Sequence, residues 1–561
     1  MKKNVLALSI AAAVAGFGAM GSAHAVTTIQ NMISPAAGVY TPLGDAQYLK
    51  LNPSGIGHML LVPYFTTQAS NVTLISIVNT DAVNGKAVKV RIRGAGNSDD
   101  LFDFQVFLSP NDVWTANINK DANGLSQITS ADGSCMKGLT KGVAAPFSKL
   151  RLDKKVPSTD AAVIAALNLN NQTREGYVEI FNMADIAPTL YVTGLVVTTG
   201  TDTMVLPGSV ANPIYAGVLH TAGVATCAGL SGLDVDAAGW AGLTAPTTGL
   251  MGEWLIINQQ TAAGYGGNDT AIQALNSSFA PGYGNIVYWP QTRVVFDKWP
   301  SSAFTADPLL AGDLLLSGTN LVVPAVLPLL QDFPDMSTPY TARALQAATD
   351  AGNRKAGPVY QAYDLTRSLA VTSLANEFLT EPSIAAASDF VFSMPTRRYN
   401  VAMNYETLLP SFTDYTAFSY SNFFAPANTQ ASGRQVCVWG LTQTAYDQNE
   451  QRPSAVVPSP QAIPMFCGEV SVFGINQSIV PVTGSSKVLA ANIAVQGADV
   501  GTSNYAAGWL KVATPGLGVG SSILGLPVLG GSFTQAVGSA SGSNFGVNTD
   551  HRSTRISTFG F

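Results

Sequence analysis

The chain has 561 residues, a formal net charge of −6 and only 11% charged residues, where ordinary globular proteins carry roughly 25%. Apolar residues make up 47%, which excludes intrinsic disorder, because disordered chains combine low hydrophobicity with high net charge. No basic stripe exists to follow a phosphate backbone, so nucleic acid is excluded as a partner.

At the start, Lys2 and Lys3 precede an apolar run from Val5 to Met20, and Ala23-His24-Ala25 places small residues at −3 and −1. This pattern predicts a secretory signal over 1–25, cut before Val26. Residue 26 is Val and not Cys, so no lipid anchor is expected there. A mature chain this long exceeds a single hydrophobic core. The reading divides it into an N-terminal β-sandwich-like domain over 26–245 and a C-terminal β-rich domain over 246–561.

Strand signals fill the first domain. Asn71–Asn79, Ala87–Arg93 and Leu101–Leu108 carry β-branched and aromatic residues in near alternation, separated by turn-rich spacers, and Val113-Trp114-Thr115 continues the pattern. Gly176–Phe181 and Tyr191–Thr199 follow. Short strands at this spacing predict a mainly β fold of antiparallel β-sandwich-like domains with a few inserted α-helices.

In the second domain, Trp254–Asn258, Asn285–Trp289 and Arg293–Phe296 read as strands. A helical insert is expected over about 338–380. Thr338 and Pro339 form its first start signal and Gly352 a stop; a second helix begins at Asp364 and runs through Leu365, Leu369, Leu374 and Phe378 to Pro382. The nearest approach to a membrane-spanning run, Leu321–Leu330, is short and broken by Pro324 and Pro328. Strands resume at Asp389–Ser393, Tyr399–Tyr405, Gln435–Thr442 and Glu469–Ile475. From Ala507 to Asn544 the chain is Gly- and Ser-rich with β-like islands at Trp509–Val512 and Pro527–Leu529.

Cys135, Cys227, Cys437 and Cys467 are an even set in an exported chain and point to two disulfides. Three pairings are open; Cys135–Cys227 with Cys437–Cys467 is favoured because each pair lies within one half. The second bridge would clamp the neck of a Pro-rich loop over 446–464, and clamped loops often make contacts.

The usual catalytic constellations are missing, so no catalytic residue and no enzyme activity are expected. Gly538–Gly542 has the frame of a nucleophile elbow, but Ala540 stands where the serine belongs. The alternating Gly516, Gly518 and Gly520 lack the acidic partner of a dinucleotide site. Glu253 beside Trp254 and Asp297 near Trp299 are the acids closest to aromatic platforms, yet nothing brings them across a sugar from one another. Asn119, Asp121, Asn123 and Gly124 match the first half of a calcium loop, but position 12 is Ser130 where a bidentate Glu belongs. An Asx-rich turn is the expected structure, and calcium is the single ion left open where otherwise no cofactor is expected.

Several phrases spread along the chain carry a resemblance: Asn52-Pro53-Ser54-Gly55-Ile56-Gly57, LLVPYFTTQ at Leu60–Gln68, Val78-Asn79-Thr80, SDFVFSMPTRRY at Ser388–Tyr399, and Asp447-Gln448-Asn449-Glu450 ahead of Arg452-Pro453. Together they resemble exported surface-layer-like proteins of betaproteobacteria, the Comamonas- and Delftia-type proteins that sheathe nanopods. The resemblance implies a structural protein that tiles the outer membrane as a regular array and accompanies extruded vesicles, with no active site. Its implied partners are further copies of the chain and the outer-membrane surface or lipopolysaccharide. Low charge fits, since a surface short of Lys and Glu desolvates cheaply and repels copies of itself weakly. Two other readings stand beside it. Phe559 and Phe561 alternate as in the last strand of an outer-membrane barrel channel, and a secreted polysaccharide-binding protein fits the β-rich pattern.

Overall fold

In the computed structural model, the described residues are 44–149, 170–199, 202–234, 242–288, 335–337, 340–344, 356–404, 407–413, 423–450, 465–477, 479, 484–498, 500, 506–514, 525–538 and 544–555. The signal segment 1–25, the strand expected at 293–296, Asp297, Trp299, loop residues 451–464 and the terminal Phe559 and Phe561 lie outside them.

The alternation of Asn71–Asn79 buries every second residue, Ile75 and Ile77 among them, as a strand half-covered by a core must. Val113–Lys120 does the same with Trp114, Ala116 and Ile118. These two strands lie in a six-stranded sheet ordered Gly264–Asn268, Leu250–Asn258, Asn71–Asn79, Val113–Lys120, Ser126–Thr129 and Ala145–Pro146. Facing it is a seven-stranded sheet ordered Tyr48–Leu51, Thr270–Leu275, Met59–Thr66, Glu175–Ile186, Gly85–Gly94, Asp100–Leu108 and Cys135–Lys137. Leu60, Val62, Val88, Val90 and Val106 meet Ile75, Ile77, Trp114 and Trp254 between the layers. The fold is therefore mainly β and antiparallel, built on a sandwich. The expected division at 245/246 falls inside this sheet system, because Leu250–Asn258, Gly264–Asn268 and Thr270–Leu275 complete both of its sheets.

A second pair of sheets follows. The five-stranded sheet runs Val495–Ala498, Val470–Ile475, Ala387–Ser393, Gly531–Ala536 and Phe545–Asp550; the four-stranded one runs Thr442–Asp447, Ala507–Ala513, Ser373–Leu379 and Arg552–Thr554. Phe390, Phe392 and Phe473 share a core with Leu374, Phe378, Leu510 and Val512. From the opposite face of the five-stranded sheet, Phe533 packs against Tyr64, Trp254 and Tyr265, with ring centroids 6.2, 5.8 and 5.7 Å away. Phe533 thus packs the second sheet pair against the first.

Three sequence expectations need correction. The second helix spans Ala356–Leu369, with Pro358 in the first turn where its missing N–H goes unneeded. It stops well before Pro382: Leu374 and Phe378 lie in the strand Ser373–Leu379. A separation of four satisfies the helical face and the strand period of two alike, and β-branched Val371 and Thr372 favour the strand. Of the first helix, the expected signals Thr338, Pro339 and Gly352 lie outside the described residues; residues 342–344 are helical, and the Thr341 hydroxyl accepts from Ala344 N. Asn285–Tyr288 forms no strand; single bonds such as Val287 N to Met183 O hold it against the core. Tyr399 and Asn400 belong to the short helix Arg397–Asn400, and the strand begins at Val401.

The seven-stranded sheet is covered on both faces. Lys89, Arg91 and Arg93 alternate with Val88, Val90 and Ile92, which reads as a solvent face, yet all three cations are fully buried. Each contacts a carboxylate: Asp103 at 2.7 Å, Asp100 at 3.0 Å and Glu179 at 2.8 Å. Burial pulls the Lys89 ammonium below its usual range while Asp103 pulls it back up. The Arg397–Asn400 turn caps this face, with the Tyr399 hydroxyl donating to Glu179 at 2.9 Å.

Candidate functional site

The calcium-like run forms the connection between Val113–Lys120 and Ser126–Thr129. Asp121 Oδ1 accepts from the backbone of Asn123 at 2.9 Å and Leu125 at 2.8 Å, and Gly124 takes the left-handed conformation (φ +80°) that closes the turn. Asn119 accepts from Gln127 instead, and Ser130 donates to Thr115 O. The geometry is an Asx turn. Among the described residues no group of three His, Cys, Asp or Glu side chains converges on a metal position.

Glu253 and Trp254 point to opposite faces of their strand, the acid exposed and the indole buried. The structure instead brings an acid the sequence did not single out into the core. Asp269 stands between Gly264–Asn268 and Thr270–Leu275, is 3% exposed, and neither carboxylate oxygen has a hydrogen-bond partner. Its carboxyl occupies the space over Gly252, where an added Cβ would lie 2.1 Å from Asp269 Oδ2. Burial, with the like charge of Glu253 adding to it, pushes this carboxyl far above the usual carboxylate range. Only the turn position hinted at it; the glycine opposite could not be paired with it from spacing.

Among the described residues, two histidines are core residues. His58 Nε2 donates to Gly282 O at 3.0 Å and Nδ1 accepts from Ala274 N at 3.1 Å; burial pulls its pKa down to about 3. His551 donates to Val391 O at 2.9 Å, accepts from Asn376 and stacks on Phe392, and burial lowers it to about 4. Both are neutral and have no nitrogen left for chemistry. His220 lies 3.6 Å from Asp112 near the surface.

A cleft of about 160 Å³ between the sheet pairs is lined by Leu51, Thr270, Leu529, Asp550, His551 and Arg555, among others. Pockets for organic ligands run from ~300 to 1,000 Å³, so it holds a few waters at most. Arg555 donates across it to Leu369 O at 2.8 Å.

Cys135 bonds to Cys227 and Cys437 to Cys467, across sequence separations of 92 and 30 residues. Two bridges place the protein in an oxidising, extracytoplasmic environment. Removing the longer bridge is expected to cost up to about 4.6 kcal/mol and the shorter up to about 3.6 kcal/mol, from loop-closure entropy. Urea unfolding of Cys135→Ser/Cys227→Ser and Cys437→Ser/Cys467→Ser checks both values, and unfolding midpoints equal to that of the parent contradict them.

Among the described residues, exposed apolar side chains occur near an end of the five-stranded sheet. Phe545 is 61% exposed, Ile384 44%, Val537 41% and Val547 39%. Val537 N bonds to Ile384 O, and Phe545 is the register partner of Ala536, which brings the backbone of Ile384, Val537 and Phe545 to one end of the sheet. Phe545–Asp550 is the terminal strand of its sheet. The alternating Phe545 and Val547 were visible in the sequence but stood just beyond a Gly/Ser-rich stretch that masks strand signals. No family model matches the chain, and neither curated proteins nor solved structures yield a match.

Proposed function

We propose that this protein is a structural, non-enzymatic component of the cell surface that assembles with copies of itself into a layer on the outer membrane, exported by the segment 1–25. The observation that carries the reading is the exposed apolar pair Phe545 and Val547 on a terminal strand, with exposed Ile384 and Val537 near its end, since exposed hydrophobics mark contact surfaces. Its occupant in this reading is a second copy of the chain. Burial of ionised groups supports it: Lys86, Lys89, Arg91, Arg93, Arg397 and Arg398 are all interior, which leaves a surface poorer in charge than the composition alone implies. Weak self-repulsion follows. The two disulfides suit a protein that works outside the cytoplasm.

Electron microscopy and sedimentation of the purified mature protein test the reading. Sheets or large oligomers are expected, and Phe545→Asp is expected to raise the concentration needed to form them at least tenfold while leaving the unfolding midpoint nearly unchanged. A protein that stays monomeric at high concentration, with and without divalent cations or lipid, overturns it.

A further inference from the structure

At one end of the first sandwich, Lys86 Nζ is surrounded by two carboxylates and a hydroxyl. Asp185 Oδ1 lies 2.8 Å away, Thr247 Oγ1 3.0 Å and Asp81 Oδ2 3.5 Å. Lys86 and Asp185 are register partners in the pairing of Gly85–Gly94 with Glu175–Ile186, so the backbone holds amine and carboxyl side by side. Their side chains are 0% and 1% exposed, whereas Asp81 at 17% keeps a path to solvent. Asn182 Nδ2 donates to Asp185 Oδ1 at 2.6 Å, and Thr247 directs both its backbone N–H and its hydroxyl at Oδ2.

We propose that Lys86 and Asp185 condense to an intramolecular amide that cross-links the two strands. The Asp81 carboxylate takes a proton from the Lys86 ammonium, and the freed Nζ lone pair attacks Asp185 Cγ. Thr247 N–H and O–H stabilise the charge that develops on Oδ2, as an oxyanion hole does. The Cγ–Oδ1 bond then breaks, and Oδ1 leaves as water carrying two protons that began on the ammonium, one of them delivered by Asp81. One N–C bond forms and one C–O bond breaks. One positive and one negative charge vanish together, and Asp81 ends as it began, so no other reactant is needed.

Condensation of an amine with a carboxylate is unfavourable in dilute water, but two features reverse the balance here. Groups fixed in contact react with effective molarities of about 10⁵–10⁸ M. A buried ion pair also carries a desolvation penalty of several kcal/mol per ion, and a neutral amide removes both ions. The product stays satisfied, since its carbonyl keeps the Thr247 donors and its N–H faces Asp81 and Thr247 Oγ1. Burial already pushes the Asp185 carboxyl upward against the pull of Lys86, which favours the uncharged form of that carboxyl.

Intact mass spectrometry of the fully reduced, purified protein decides the matter. The wild-type chain is expected to be lighter by one water than its determined N-terminus and sequence require, and a protease digest is expected to yield a branched peptide joining Lys86 to Asp185. Asp81→Asn and Lys86→Arg are expected to restore the full mass. A wild-type protein of full mass with an unmodified Lys86 peptide overturns the proposal, and so does a missing water located elsewhere in the chain. Both readings come from the wild-type protein and hold whether or not a variant folds.

Discussion

Replacing Glu469 by Ala is expected to destabilise the protein by about 3–5 kcal/mol, the range seen when one partner of a buried ion pair is removed. Glu469 is fully buried. Its Oε2 accepts from Arg397 Nε at 2.6 Å and its Oε1 from the backbone N–H of Arg398 at 3.0 Å. Truncation leaves the Arg397 guanidinium uncompensated in the interior, where removal of a charge from water is most costly. The damage also reaches the contact between the sheet pairs. The turn that Glu469 holds carries Tyr399, bonded to Glu179 of the seven-stranded sheet, and Arg398, which donates to Asn97 O at 3.1 Å. Glu469 N itself bonds to Ala95 O at 2.7 Å. If the loss arises from the stranded cation, Glu469→Leu combined with Arg397→Met recovers at least half of it, because replacing both members of a buried pair with apolar groups is often near neutral. Urea unfolding of these two variants and the wild type measures this. A single-variant loss below 1 kcal/mol, or a double variant worse than the single, contradicts the assignment.

What the sequence discloses about this molecule depends on which period its residues obey. Asn71–Asn79 and Val113–Lys120 were legible because one face meets a core and the other does not, so polarity alternates with the pleat. Gly85–Gly94 alternates just as cleanly, and there the same inference about exposure fails. Lys89, Arg91 and Arg93 meet Asp103, Asp100 and Glu179 on the two neighbouring strands of the same sheet, and the Arg397–Asn400 turn covers this face. The turn comes from residues some 300 positions away, and no local pattern encodes that cover. Leu374 and Phe378 failed for a different reason, since their spacing is common to helix and strand. Disulfide partners were accessible from sequence separation, whereas Asp269 and the Lys86–Asp185–Asp81 cluster appear only once the strands are paired.

The resemblance phrases fall on these same structural positions. Leu60–Gln68 covers most of a central strand of the seven-stranded sheet, and Ser388–Tyr399 spans the middle strand of the five-stranded sheet and the turn clamped by Glu469. Asn52 Oδ1 and Nδ2 brace the turn through Ser54 N and Ile56 O. In the described residues these phrases serve as folding elements.

Asp269→Asn is expected to make the protein more stable at neutral pH by roughly 2–4 kcal/mol, and the gain is expected to disappear on acidification. Asp269 is buried over Gly252 without a hydrogen-bond partner, and burial holds its carboxyl protonated in the folded chain far above the usual range. In the unfolded chain the same group ionises near its ordinary value of 3.8. Between those two points the folded state binds the extra proton, so stability falls as pH rises, by about 1.4 kcal/mol for each pH unit. Below the unfolded value both states are protonated and the residue's contribution is fully present. His58 and His551 act with the opposite sign: their folded pKa values of about 3 and 4 lie below the ordinary 6.5, so they cost stability as pH falls through 6.5. Raised carboxylates such as Asp364, pushed up to about 6, partly offset them. The wild-type pH profile is therefore a sum of opposing slopes and identifies no single group. The difference between Asp269→Asn and wild type cancels every shared group and leaves the slope of Asp269 alone. Chemical denaturation at pH 4, 5.5, 7 and 8 measures it: a difference independent of pH shows that the folded carboxyl is ionised, which its unpartnered place in the core could not sustain.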